Sequence, residues 1–121
     1  MCFLIKDANN PLHCDYDLPI FKKHTVPNSC RPVFLVLGGS FNPIHTGHIK
    51  MFYEARTFLR EHNIQVIGGV LALSSDEWIR QKLKVEGKNP IDLIPFTERL
   101  EMANIACACD TTQQFVFPLL R

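Results

Sequence analysis

The stretch Val33-Phe34-Leu35-Val36-Leu37-Gly38-Gly39-Ser40-Phe41-Asn42-Pro43-Ile44-His45-Thr46-Gly47-His48 governs how the rest of the chain is read. Its opening apolar run, β-branched in part and ended by a glycine pair, fits a strand buried on both faces of a parallel sheet. The loop 40–46 follows, with Pro43 inside it. From Gly47 a helix pattern starts, in which Ile49, Phe52, Ala55 or Arg56, and Leu59 recur at helical spacing until about residues 61–63. A second apolar segment, 64–73, contains Gly68 and Gly69 and reads as the next parallel strand. Strand, loop, helix and strand in about forty residues make a βαβ unit.

Downstream, Ser74 and Ser75 precede a short helix over 76–85, with Asp76 and Glu77 in the first turn, where the helix dipole favours anions. Residues 86–95 are polar and broken by Gly87, Pro90 and Pro95. Thr97 is expected to cap another helix, with Leu100, Ala103 and Cys107 on one face. Residues 110–114 read as a turn and 115–120 as the start of a third strand, which Pro118 keeps from being long and central. Upstream, residues 1–31 carry Pro11, Pro19 and Pro27 and no clean period. They read as an extended, turn-rich arm with little structure of its own.

The chain therefore divides into an arm, 1–31, and an α/β domain, 32–121. At most three strands are expected, fewer than a doubly wound sheet usually carries. The fold class is α/β: a Rossmann-like parallel sheet with flanking helices, incomplete on its C-terminal side. A core of that size is marginal alone, so either partners cover the open edge or the chain is part of something longer.

Composition narrows the function classes. The 121 residues are 46% hydrophobic and 21% charged, which removes collagen-like, mucin-like and disordered readings. Thirteen Lys and Arg against twelve Asp and Glu leave a formal charge of +1, so no field points to nucleic acid or a membrane surface, and neither is expected as a partner. No apolar run approaches the ~18–20 residues of a membrane span. Lys6, Asp7, Asn9 and Asn10 interrupt the apolar residues 1–5 before a signal-peptide core can form. Five Cys, at 2, 14, 30, 107 and 109, are an odd number in an ordinary globular composition. Reduced, structural thiols and an intracellular setting, cytoplasmic or nuclear, are expected. A zinc site from His13, Cys14, His24 and Cys30 is a weak alternative, because the spacings fit no standard finger or ribbon.

Chemistry concentrates in the loop after the first strand of that unit. Ligands of open α/β sheets sit at the carboxyl ends of strands, and loop amides with a helix N-terminus suit phosphate. Gly38 and Gly39 let the main chain approach a ligand with no Cβ in the way. His45 and His48, three apart at the helix start, can face one anion, with charge tunable near neutral pH. Gly47 between them leaves room for a nucleobase or ribose. The spacing is neither a G-x-x-x-x-G-K-[ST] loop nor G-x-G-x-x-G. No Asp or Glu cluster waits nearby to hold a metal directly, so no protein metal site is expected.

The string Gly39-Ser40-Phe41-Asn42-Pro43-Ile44-His45-Thr46-Gly47-His48 resembles the G-[ST]-F-[ND]-P-x-[HT]-x-G-H signature of the nucleotidyltransferase superfamily. The Gly-Ser-Phe-Asn-Pro form is most similar to the nicotinamide/nicotinate mononucleotide adenylyltransferases. Val66-Ile67-Gly68-Gly69 and Ser74-Ser75-Asp76-Glu77-Trp78 resemble that family's second strand and its Ser-Pro-Val-x-Asp-x-Tyr segment. Thr97-Glu98-Arg99-Leu100-Glu101-Met102-Ala103 resembles its His-Arg-x-x-Met helix. The resemblance covers roughly residues 33–107.

It implies adenylyl transfer from ATP to nicotinamide or nicotinate mononucleotide, giving NAD or deamido-NAD and pyrophosphate. No covalent intermediate forms in such enzymes, which work by positioning and charge neutralisation. His45 and His48 are implied to hold the ATP phosphates and stabilise charge at the transferred phosphorus. Backbone groups of Gly39, Ser40 and Phe41 would line the cleft, and Asn42 and Pro43 would shape the turn. Asp76 and Trp78 stand in the substrate segment, and Arg80 or Lys82 would reach the phosphates. Mg²⁺ would enter bound to ATP.

Two departures accompany the likeness. Ser-Pro-Val reads Ala72-Leu73-Ser74 and the Tyr reads Trp78, and the family's later Ile-Ser-Ser-Thr-x-x-Arg string is not among the 121 residues. An N-terminal fragment or truncated form is therefore expected. One alternative is a non-catalytic form that keeps the nucleotide loop and pairs with a longer copy through its sheet edge. Another is a different superfamily member such as a pantetheine-phosphate adenylyltransferase, whose usual Gly-Thr-Phe-Asp is at odds with Ser40 and Asn42. The plainer readings are core packing for Trp78, a solvated face for Arg80, Lys82, Lys84 and Lys88, and a helix-surface ion pair for Arg99.

Overall fold

Continuous apolar runs become the two central strands, as burial on both faces requires. The computed structural model describes residues 3–7, 29–109 and 116–118. In chain order the elements are β1 (Phe3–Asp7), β2 (Arg31–Gly39), α1 (Thr46–Arg60), β3 (Ile64–Leu73), α2 (Asp76–Val85), a 3₁₀ turn (Pro90–Asp92), α3 (Phe96–Cys109) and β4 (Val116–Pro118). The sheet runs β1-β2-β3-β4. β3 is parallel to β2 and β4 to β3, whereas β1 is antiparallel to β2. This is an α/β fold with flanking helices.

Residues 33–37 of β2 and 66–71 of β3 are buried without a break. Leu35 lies opposite Gly69 and Val36 opposite Val70, after a register shift between Val33 and Phe34. Val33, Leu35 and Leu37 point to one face, as the two-residue strand period requires. There they cluster with Phe52 and Leu59 of α1 and with Ala103 and Cys107 of α3. Asn63, in left-handed backbone at φ +59°, closes the turn from α1 into β3. α2 is capped by Ser75, whose Oγ accepts from the Trp78 amide at 3.2 Å. Asp76 and Glu77 in its first turn and Lys82 and Lys84 in its last complement the helix dipole.

Three expectations need correction. Among the described residues the sheet has four strands rather than three at most, because Phe3–Asp7 of the arm pairs with β2. Five residues ending in Lys6 and Asp7 carry no periodic signal that would distinguish an edge strand from a loop. Thr97 does not cap α3: the helix begins at Phe96, and the Pro95 carbonyl accepts from the amides of Glu98 and Arg99, both at 3.0 Å. Arg99 is not on the helix surface but fully buried. The rest of the arm from 8 to 28, which includes His13, Cys14 and His24, lies outside the described residues, as does the turn expected at 110–114. Among the described residues no helix is long and apolar enough to cross a membrane.

Candidate active site

β2 and β3 end side by side, joined by a bond from the Ser74 amide to the Gly39 carbonyl at 2.9 Å. Beyond them the chain must turn from β2 into α1 within the loop 40–45. Phe41 makes that turn in left-handed backbone, φ +47°, with its side chain only 2% exposed. That conformation is strained for a bulky residue, at a cost of about 1–3 kcal/mol, and burial of the ring offsets it. The ring stands edge-on to His48, centroids 4.9 Å apart. The Asn42–Pro43 peptide is cis.

The Asn42 side chain fixes the far side of the loop. Its Nδ2 donates to the Asp92 carbonyl at 2.9 Å, and its Oδ1 accepts from the Ile94 amide at 2.8 Å. Both ends of the amide are therefore committed to the segment before α3, and its role is to hold the turn.

His45 is the N-cap residue of α1, in extended backbone. Its amide donates to His48 Nδ1 at 3.0 Å, so His48 reaches back from the first turn as the acceptor of a capping box does. The two rings stack, centroids 3.7 Å apart and planes 24° from parallel. An Nδ1 that accepts a hydrogen bond carries no proton, so a neutral His48 carries its proton on Nε2. Burial, and secondarily the neighbouring His45, push the His48 pKa below its ordinary value. His48 is only 5% exposed, whereas His45 is open to solvent.

A cavity of about 800 Å³ opens above these groups. One side is the loop and strand ends: Gly38, Gly39, Ser40, Phe41, Asn42, Pro43, His45 and His48, with Ala72, Leu73 and Ser74 from β3. The opposite side is α2 and its continuation, with Trp78, Lys82, Glu86 and Lys88. Trp78 stands 60% exposed at the rim rather than in the core.

Ten of the residues singled out in the sequence thus converge: Gly38, Gly39, Ser40, Phe41, Asn42, Pro43, His45, His48, Trp78 and Lys82. Three do not line the cleft. Asp76 binds Arg99 Nη2 through Oδ1 at 2.7 Å. Arg80 lies about 200° around α2 from Trp78 and pairs with Glu77 at 3.7 Å, whereas Lys82, one turn on from Trp78, faces the cavity. At Gly47, a Cβ would meet Cε1 and Nδ1 of the His45 ring, each at 3.0 Å. The room expected there for a base or ribose is filled by His45 itself.

Glu86 and Lys88 join the cleft, although Lys88 reads from the sequence as part of a solvated face. Gly87, at φ +69°, ends α2 in a left-handed turn whose amide reaches Lys84 O at 3.2 Å, and the Lys88 amide reaches Leu83 O at 2.8 Å. That paired pattern bends the chain back over the helix, bringing Lys88 to the cavity with its Nζ 3.1 Å from Glu86. The glycine just past the helical run is the available signal.

A neutral imidazole N–H, a second imidazole and two lysines, one of them paired with Glu86, around one cavity suit a polyanion such as a phosphate chain. The cytidylyltransferase-like family model matches residues 36–117, more than half of the chain and the whole of this site. The chain belongs to that family. Among curated proteins, this cytidylyltransferase-like chain is 35% identical over 97 residues to a nicotinamide/nicotinic acid mononucleotide adenylyltransferase of Arabidopsis thaliana, covering 77% of this chain and 36% of that protein. It is 40% identical over 73 residues to a probable nicotinate-nucleotide adenylyltransferase of Roseiflexus, covering 60% and 30%. A relative in Schizosaccharomyces pombe, named like the first, is 32% identical over 88 residues, covering 72% and 21%. The chain spans about a third or less of the length of these relatives. No solved structure matches it significantly.

Proposed function

We propose that the cleft binds the triphosphate of ATP and serves adenylyl transfer to nicotinamide or nicotinate mononucleotide. The observation that carries this reading is the stacked His45–His48 pair at the α1 N-terminus, with His48 held neutral and its Nε2–H free to donate. A phosphate oxygen of the mononucleotide attacks the α-phosphorus of ATP, the bond from that phosphorus to the bridging oxygen breaks, and pyrophosphate leaves. His45 and His48 hold the phosphates in line. Lys82 and Lys88 balance the charge that builds on the departing pyrophosphate. Mg²⁺ enters as part of the nucleotide substrate, since it keeps to phosphate oxygens and needs few protein ligands. The free thiols of Cys30, Cys107 and Cys109 suit a reducing intracellular compartment.

The test is pyrophosphate release by the purified chain from ATP, Mg²⁺ and either mononucleotide. Replacing His48 with Ala is expected to lower the rate about 10²–10³-fold, the usual effect of losing one positioned donor. A His48→Ala protein as fast as the parent defeats the assignment. Nucleotide binding without turnover is the second reading, favoured by a lining that, among the described residues, comes from 38–88 alone. Doubly wound folds place ligands in a crevice where strand order reverses, with chain on both sides. Calorimetric uptake of ATP with no pyrophosphate released would select this second reading.

A further inference from the structure

Arg99 is fully buried, yet its hydrogen bonds leave its own helix on every side. Nε donates to the Ile94 carbonyl at 2.8 Å, and Nη1 donates to the carbonyls of Ser40 at 2.9 Å and Ser74 at 2.8 Å. Nη2 donates to Asp76 Oδ1 at 2.7 Å. A buried cation is tolerated only when its donors find partners and a counter-charge stands beside it. Arg99 meets both conditions, with acceptors from four places: the loop after β2, the end of β3, the start of α2 and the segment before α3. Lysine could supply the charge but not the planar fork that reaches all of them.

The two bonds from Nη1 have a geometric consequence. Among the described residues only the Asn42–Pro43 peptide is cis, so the Ser40–Phe41 and Ser74–Ser75 peptides are trans. In a trans peptide the carbonyl and the following N–H point in opposite directions. With the carbonyls of Ser40 and Ser74 drawn down to the buried guanidinium, the N–H groups of Phe41 and Ser75 turn away from it. Neither N–H has an acceptor among the described residues. Ser40, Phe41 and Ser74 line the cavity, and Ser75 follows Ser74 at its edge rather than in the lining.

We propose that Arg99 is a positioning residue for an anion subsite: from below the cleft it presents the Phe41 and Ser75 amides as paired donors to a phosphate group of the bound nucleotide. The inference rests on the reading that the cleft takes ATP. Preset amides of this kind favour an anion because no reorganisation is needed when it arrives, and no side chain touching the ligand has to supply them.

The experiment is an ¹⁵N–¹H NMR titration of the full chain with Mg-ATP, for the parent and for R99K. The Phe41 and Ser75 amide resonances are expected among the largest movers in the parent. R99K, with a dispersed spectrum of a folded chain, is expected to lose those two shifts and bind ATP at least tenfold more weakly. If Mg-ATP moves the resonances of His48 and Trp78 but not those of Phe41 and Ser75, the nucleotide reading stands and the role of Arg99 falls. The same holds if folded R99K binds like the parent. If Mg-ATP moves no resonance around the cleft, both fall together. The parent titration separates these outcomes even if R99K does not fold.

Discussion

A Cβ at position 47 would sit 3.0 Å from two atoms of the His45 ring, so the hydrogen of glycine is what lets that imidazole fold back over α1 and stack on His48. Alanine is a better helix former than glycine by about 1 kcal/mol. Gly47→Ala is therefore expected to leave the melting temperature unchanged or slightly raised while weakening ATP binding several-fold, as measured by paired melting and calorimetry. A parallel loss of stability and affinity would mean that the His45 ring is not what the substitution disturbs. His48 adds a pH dependence of definite sign. Its folded pKa lies below the ordinary 6.5, so the unfolded chain binds the proton more readily. Stability is then flat above about pH 6.5 and falls as the pH drops from there through the folded pKa. Denaturant melts between pH 7.5 and 5 should show that slope, and His48→Gln should remove its share of it. An unchanged slope in the variant would assign it to another group.

α3 places two cysteines in opposite circumstances. Cys107 and Cys109 are two positions apart, about 200° around the helix axis. Cys107 packs into the core with Ala103, and burial pushes its thiol up to about 11, whereas Cys109 is exposed at the helix end. The thiolate is the reactive species. Iodoacetamide at pH 8 is therefore expected to alkylate Cys109 in the native chain well before Cys107, as peptide mass spectrometry would show. Equal labelling of the two would mean that the C-terminal part of α3 opens readily. The same rotational logic operates on α2, where Trp78 and Lys82 share the cleft side while Arg80 turns to Glu77.

The sheet as a whole is one half of a doubly wound arrangement with an added strand. Successive parallel strands step outward in one direction from β2 through β3 to β4, and the doubly wound pattern would continue on the other side of β2. Here β1 occupies that side, antiparallel, with Phe3 opposite Leu37 and Asp7 opposite Val33. An unpaired, apolar strand edge invites association. Deleting residues 1–10 is expected to lower the melting temperature and produce concentration-dependent assembly, followed by sedimentation velocity. A deletion that stays monomeric with unchanged melting would show that β1 does not protect this edge.

What can be read without coordinates is what neighbouring residues settle among themselves. The buried strands follow from unbroken apolar runs and α1 from its 3.6-residue period. The loop between Gly38 and His48 lies at the strand ends because the chain has nowhere else to turn. His45 and His48 meet because residues three apart at a helix start share a face. Packing settled the contacts that span the chain. Asn42 finds its partners 50 and 52 residues away, and Arg99 finds Ser40 59 positions back. Phe3–Asp7 joins a strand that begins at Arg31. No local period encodes such pairings, because they depend on which surfaces come together once the helices cover the sheet. A charged arginine in a helical pattern reads as surface until carbonyls from three other segments are seen to surround it.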